Sequence, residues 1–198
     1  MGIGLASSAG LNAYVPLVVI GLLARYTDLI TLPTTWQWLE NGWVLVILGV
    51  LLTFEVVADK IPGLDHANDF LQTIVRPTAG GLAFGAATSS TSVTVSDPGD
   101  FFSSHQWVPI VSGIVIGFIV HAGKAAARPV VNVSTAGLGA PVASTVEDVF
   151  SISMSLVAIL FPVLIIVFLI ALIWFLVAMR RRRKRKKAEK AALAGARS

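Results

Sequence analysis

The sequence predicts an all-α integral membrane protein with about four transmembrane helices plus two broken or re-entrant segments arranged as an inverted repeat. Five or six full spans are the alternative. Three observations lead there. The 198-residue chain is 55% hydrophobic and 13% charged, with a mean hydropathy of +0.80, far from the balance of a soluble domain. Several runs approach or exceed the roughly 18–20 apolar residues that cross a bilayer core, and Val149–Met179 carries no charge at all. A small-residue phrase recurs as "SSAGLNAYVP" (7–16), "TAGGLAFGAA" (78–87) and "STAGLGAPVAS" (134–144), although glycine weakens a helix interior.

The elements follow in order. The first crossing falls at about 11–26. No basic region precedes it, and Gly10 and Asn12 interrupt any earlier apolar segment, so it reads as retained rather than as a cleaved signal. The loop 26–42 carries Trp36 and Trp38, which suit a membrane interface. A second crossing spans 42–60, with Glu55 as a late polar member. Residues 70–88 form the first dip. The Ser/Thr-rich stretch 89–106, with its Asp97-Pro98-Gly99 turn, is a solvated connector. The third crossing is 107–124, the second dip 130–145 and the last crossing 149–179. At 1.5 Å per residue the last run is about 46 Å long, so Pro162 kinks it or its first turns lie in the interface.

Domain organisation is a transmembrane body, 1–179, followed by a basic tail, 180–198, expected to be disordered and cytoplasmic. Ten of the fifteen basic residues lie after Met179, where they serve as a positive-inside flank. The tail also suits anionic lipid. With a cytoplasmic C-terminus and four crossings, the N-terminus is cytoplasmic too. Lys124 and Arg128 then fall on the outer side, against the charge trend.

An internal repeat supports the inversion. "WVLVILGVLLTFEVVADK" (43–60) and "WVPIVSGIVIGFIVHAGK" (107–124) align without a gap, sharing Trp, Phe and Lys positions. Each is followed by Arg-Pro, at 76–77 and 128–129, and then by Thr-Ala-Gly, at 78–80 and 135–137. The repeat units are roughly 7–87 and 78–179, and such duplication is common in transporter folds. The small-residue phrases admit two readings. Either they break the helix where protein or water satisfies the backbone, or they pack helices closely through faces such as Gly81/Gly85 and Gly113/Gly117.

Charged residues within the body mark the chemistry. Glu55 and Asp59 share a helix face at i,i+4 spacing, and Asp65 and Asp69 repeat it with His66 beside them. Around the turn at Pro62-Gly63 these carboxylates would converge, a donor set for a hard cation or protons. His121, Lys124 and Arg128 form a stripe at i, i+3 and i+7. It pairs with the acids of the other repeat, grips an anionic headgroup, or snorkels to the interface. Glu147-Asp148 reads chiefly as the acidic first turn of the last helix after Ser144-Thr145. Arg76 and the backbone around Asn12, Thr78, Gly80, Ser134, Thr135 and Gly137 complete the candidate pathway.

The words "GLNAYVPLVVIGLLAR" (10–25), "ADKIPGLDHANDFLQTIVRPTAGGLAF" (58–84) and "HAGKAAARPVVNVSTAGLGAPVASTVEDV" (121–149) resemble the small bacterial membrane proteins grouped as domain-of-unknown-function family 4126. The resemblance covers about residues 4–178. It implies a multi-span domain in a prokaryotic cytoplasmic membrane and assigns no residue a role.

No catalytic residue, metal site or cofactor is expected. With no cysteine, disulfides and thiolate ligands are excluded. "KAAARP" (124–129) is similar to part of a lipid-phosphate phosphatase signature whose other parts are missing, and "DHAND" lacks the ligands of a zinc protease word. The function read from the sequence is a small transporter or channel-like permease for an ion or small polar solute, with its site between inverted repeats. A membrane enzyme or flippase holding a lipid or polyprenyl phosphate through Lys60, Arg76, Lys124 and Arg128 is the alternative, and a non-catalytic subunit of a membrane complex the third. The bilayer, and anionic lipid at the tail, are the expected partners. Homo-oligomerisation is left open, and nucleic acid is not expected.

Overall fold

Every element described by the computed structural model is a helix, and no strand occurs among the described residues. Those residues are 1–61, 64–88, 105, 107–135, 139–162 and 174, with the side chains of 64–67, 69 and 132 outside the description. In chain order the elements are α1 (Gly2–Leu11), α2 (Tyr14–Tyr26), a 3-10 helix (Thr34–Glu40), α3 (Gly42–Ala58), α4 (Leu64–Thr88), α5 (Trp107–Ser134) and α6 (Gly139–Leu160). All lie in one unit, Met1–Pro162; of the second, Val163–Ser198, only Trp174 is described.

The bundle is built around α1. This helix of small residues is buried from Gly4 to Gly10 and packs against α4, α5 and α6, while α2 packs against α3 and α6. Glycine permits the approach. A Cβ on Gly10 would lie 2.7 Å from the Gly117 carbonyl oxygen, and one on Gly80 would lie 2.7 Å from the Gly113 carbonyl oxygen. Any larger residue at these crossings would force the backbones apart. Ser8 of α1 adds hydrogen bonds to α6, reaching the hydroxyls of Ser151 and Ser155 at 2.7 Å each.

Burial is inverted relative to a water-soluble core. Trp43 is 79% exposed, Phe54 69%, Phe70 78% and Val133 86%, whereas Glu55, Asp59, Arg76, His121, Lys124 and Arg128 are buried. An apolar exterior around a charged interior is the arrangement a lipid solvent selects. Residues Trp107–Val131 of α5 and Gly139–Leu160 of α6 are long and apolar enough to cross a membrane, and the 3-10 helix with α3, bent by 62°, makes a third candidate.

Several expectations are corrected. The first dip, 70–88, is not broken: α4 runs through Pro77 and the glycine phrase without interruption. Its glycines serve close packing on α5, the second of the two readings. The second dip is also displaced, since α5 continues through Pro129 to Ser134 and a new helix begins at Gly139. The last helix therefore starts ten residues before 149, and α6 ends at Leu160, two residues ahead of Pro162. Proline disfavours helix at the residue before it. Of the two tryptophans of loop 26–42, Trp36 is buried against Gly85 and Trp38 is exposed. Of the connector 89–106 only His105 is described, and Gly137 and the tail lie outside the described residues.

The first phrase does break the helix. α1 ends at Leu11 and α2 starts at Tyr14, leaving Asn12 and Ala13 between them. The sequence places a first crossing at about 11–26 and no helix before it; instead α1 forms the buried centre of the bundle, and α2 is a separate helix of 13 residues.

Candidate functional site

At this break the backbone has ends to satisfy, and buried side chains do so. The Leu11 carbonyl at the end of α1 accepts from Lys124 Nζ at 3.1 Å. At the start of α2, the Ala13 amide donates to Glu55 Oε2 at 3.1 Å and Oε1 at 3.3 Å. A cation meets a helix C-terminus and a carboxylate meets a helix N-terminus, so both half-helix dipoles are complemented. Asn12 bridges the ends. Its Oδ1 accepts from the amides of Tyr14 and Val15, both at 3.2 Å, and its Nδ2 donates to Asp148 Oδ1 at 3.0 Å.

Glu55 and Asp59 come from the last turn and C-cap of α3. The Arg76 guanidinium of α4 lies between them. Nε and Nη2 donate to Glu55 Oε1 at 3.1 and 2.9 Å, and Nη2 also reaches Asp59 Oδ2 at 3.3 Å. Asp59 Oδ2 further accepts from Lys124 Nζ at 2.8 Å and from Arg128 Nη2 at 3.1 Å, both on α5. Asn68 Nδ2 holds the other oxygen of Asp59 at 2.7 Å. The two Arg-Pro signatures of the repeat thus deliver their arginines to one carboxylate oxygen.

From α6, Glu147 pairs with Lys124 at 2.9 Å and Arg128 at 3.3 Å, and Asp148 pairs with Lys60 at 2.9 Å. Among the described side chains, four carboxylates (Glu55, Asp59, Glu147, Asp148) face four cations (Lys60, Arg76, Lys124, Arg128). Desolvation of so many ions is tolerated only because each is paired and hydrogen-bonded. His121 closes the Arg76 side: its Nδ1 lies 3.2 Å from Arg76 Nη1 and its Nε2 lies 3.2 Å from Thr73 Oγ1. A guanidinium only donates, so Nδ1 accepts, and a neutral ring carries its proton on Nε2, toward Thr73.

The structure brings Asn12, Glu55, Asp59, Arg76, His121, Lys124 and Arg128 together. For Lys124 and Arg128 the pairing with acids is realised, while His121 meets Arg76 and Thr73; headgroup exposure and snorkelling are not realised, because all three side chains are buried. Thr78, Ser134 and Thr135 are corrected out of the site. They are exposed and donate to carbonyls of the preceding turn, those of Ile74, Val131 and Val131, and Thr135 Oγ1 also accepts from the Gly139 amide at 2.9 Å. Gly80, on α4, packs against the α5 backbone at Gly113. Asp65, His66 and Asp69 have backbone in α4, but their side chains lie outside the described residues. No group of three or more His, Asp or Glu suited to a metal ion occurs among the described residues.

Sequence reasoning underrated Glu147 and Asp148. With α6 beginning at Gly139, they lie two turns inside the helix and cannot cap it. Their signal was adjacency in a body nearly free of charge. Lys60 was visible as the repeat partner of Lys124. Gln72 had no signal and Ser144 was read only as a cap; both are buried, each with a side-chain oxygen that has no hydrogen-bond partner among the described residues. They sit on the same helix faces as the cluster, Gln72 four residues before Arg76 and Ser144 four before Asp148.

Fold and site together define a helical membrane protein whose buried centre is a cluster of paired charges around a broken helix. The chain belongs to the family described as Domain of unknown function (DUF4126), whose match covers residues 1–182. No curated protein and no solved structure matches it.

Proposed function

We propose that this protein is a small membrane transporter or channel-like permease for an ion or small polar solute, with the cluster around the α1–α2 break as its site. One observation carries the reading: a helix interrupted inside the bundle, with its freed backbone ends held by Lys124 and Glu55. Discontinuous helices whose ends meet charge are the recurring construction of solute sites in transporters. Ionisable residues in a membrane interior are otherwise costly and rare. The α3 and α5 repeats are read as halves of an inverted pair that rock about the cluster. The setting is a prokaryotic cytoplasmic membrane with both termini cytoplasmic and the basic tail on anionic lipid.

The test is flux. The full chain, reconstituted in sealed vesicles, carries at least one member of a panel of inorganic ions, small acids and polar solutes, and Glu55→Gln abolishes that flux. Folded protein that moves nothing in the panel, or flux that Glu55→Gln leaves unchanged, overturns the reading. The convergence of three cations on one oxygen also suits a lipid phosphate. Scrambling or hydrolysis of a phosphate-bearing lipid in the same vesicles, without solute flux, would establish that alternative.

A further inference from the structure

We infer that the ligand of this site is a small anion, and that the Asp59 carboxylate is its tethered stand-in. It occupies a three-cation cradle that an incoming carboxylate or phosphate group takes over. The inference rests on the transport reading and adds the substrate class to it.

The cradle is defined by one atom. Asp59 Oδ2 accepts from Lys124, Arg128 and Arg76 at 2.8, 3.1 and 3.3 Å, and the three cationic side chains are 1%, 5% and 0% exposed. Three like charges converging on one point repel strongly where water is scarce. Glu147 offsets Lys124 and Arg128 in part, and Glu55 offsets Arg76; an anion at the shared point completes the balance. A ligand cation would add a fourth positive charge to the cradle. A ligand anion can replace Asp59 with no change in the charge that the three donors face.

A second position repeats the pattern one helical turn away. The N-terminus of α2, a general anion-binding feature, is filled by the Glu55 carboxylate through the Ala13 amide, and Arg76 joins the two positions. Both anion stations of the site are thus filled by carboxylates of one short segment. Asp59 is the more readily withdrawn, because it is the C-cap residue just past Ala58. Moving it opens the end of α3 and leaves the helix interior intact. Carboxylate and phosphate oxygens fit the cradle equally, whether borne by a soluble ion or by a lipid headgroup.

The test empties the cradle and refills it. Full-length Asp59→Gly in zwitterionic nanodiscs is heated with increasing sodium formate or inorganic phosphate, against a bulky organic sulfonate at matched ionic strength. Linkage predicts that its melting midpoint rises by about the same step for each tenfold increase in formate or phosphate above the dissociation constant. The sulfonate gives no such rise, and wild type, in which the Asp59 carboxylate competes for the cradle, responds only at higher anion concentrations. Nanodiscs containing phosphatidic acid, without added salt of either anion, form the lipid arm: a midpoint rise there alone assigns the anion to a headgroup. Should Asp59→Gly not fold, Asp59→Asn, which keeps the shape and removes the charge, is read in the same way. A folded variant that no anion or anionic lipid stabilises overturns the inference. Anion rescue without vesicle flux retains the cradle and rejects transport; cation flux without anion rescue does the reverse.

Discussion

Arg76→Met strands a carboxylate inside the bundle, and its cost follows from the hydrogen bonds that the guanidinium makes there. Arg76 is fully buried and supplies both side-chain donors to Glu55, at 2.9 and 3.1 Å, with a third bond to Asp59 at 3.3 Å. Asp59 keeps Lys124, Arg128 and Asn68, whereas the described partners of Glu55 shrink to the Ala13 amide. Removing one partner of a buried ion pair costs about 3–5 kcal/mol, roughly two to four decades in the folding equilibrium. The pair itself contributes much less. Exchange of both partners for neutral groups is often near neutral, so Arg76→Met combined with Glu55→Gln should recover at least about 2 kcal/mol. The assay is reversible unfolding in mixed micelles as denaturing detergent increases, followed by tryptophan emission, with buried Trp36 among the reporters. An Arg76→Met cost under about 1 kcal/mol, typical of an exposed pair, would refute the reasoning. So would a double variant whose cost equals the sum of the two single ones.

The same assay checks four further outcomes. Gly113→Ala places a methyl against the Gly80 carbonyl and 2.6 Å from Phe84 Cβ, and should destabilise by about 1–3 kcal/mol. Gly49→Ala meets nothing within 4 Å and should stabilise α3 by about 0.5–1 kcal/mol. Ser8→Ala removes the hydroxyl shared with Ser151 and Ser155; interhelical bonds in membranes average about 0.6 kcal/mol with a maximum near 1.7, so a larger loss would contradict the packing described. Lys60→Ala and Lys124→Met should differ sharply. The Lys60 side chain is 32% exposed and its pair should contribute about 0–1 kcal/mol, whereas Lys124, 1% exposed and bonded to Asp59, Glu147 and the Leu11 carbonyl, should cost about 3–5 kcal/mol.

What the sequence made legible was chemistry that lipid makes expensive. An apolar chain with a few internal charges announces both its solvent and its site, and Glu55, Asp59, Arg76, His121, Lys124 and Arg128 stand out for that reason. The Arg-Pro repeat pointed to two arginines that meet on one oxygen. Helix continuity was harder to read. Glycine and proline mark places where a helix can break, yet the outcome depends on whether a neighbour needs the space. At Gly80 the neighbour is the α5 backbone at Gly113, and the helix stays whole. At Asn12 the freed amides find Glu55 and the Asn12 side chain, and the helix opens. Nothing local separates these cases, because the deciding partners lie 33 and 43 residues away. Glu147 and Asp148 were misjudged through the same gap, since a helix start placed near 145 makes acids look like caps.

The central claim is that a buried cluster opens to water. The chain contains no cysteine, so a single one reports without background. Ser144→Cys places a thiol at a fully buried position one turn before Asp148. With the protein in sealed vesicles, membrane-impermeant thiol reagent applied from each side in turn should label that thiol from both sides, at rates that transported solute alters. Labelling from neither side, with or without solute, would mean that the cluster is a static clasp and would contradict the account.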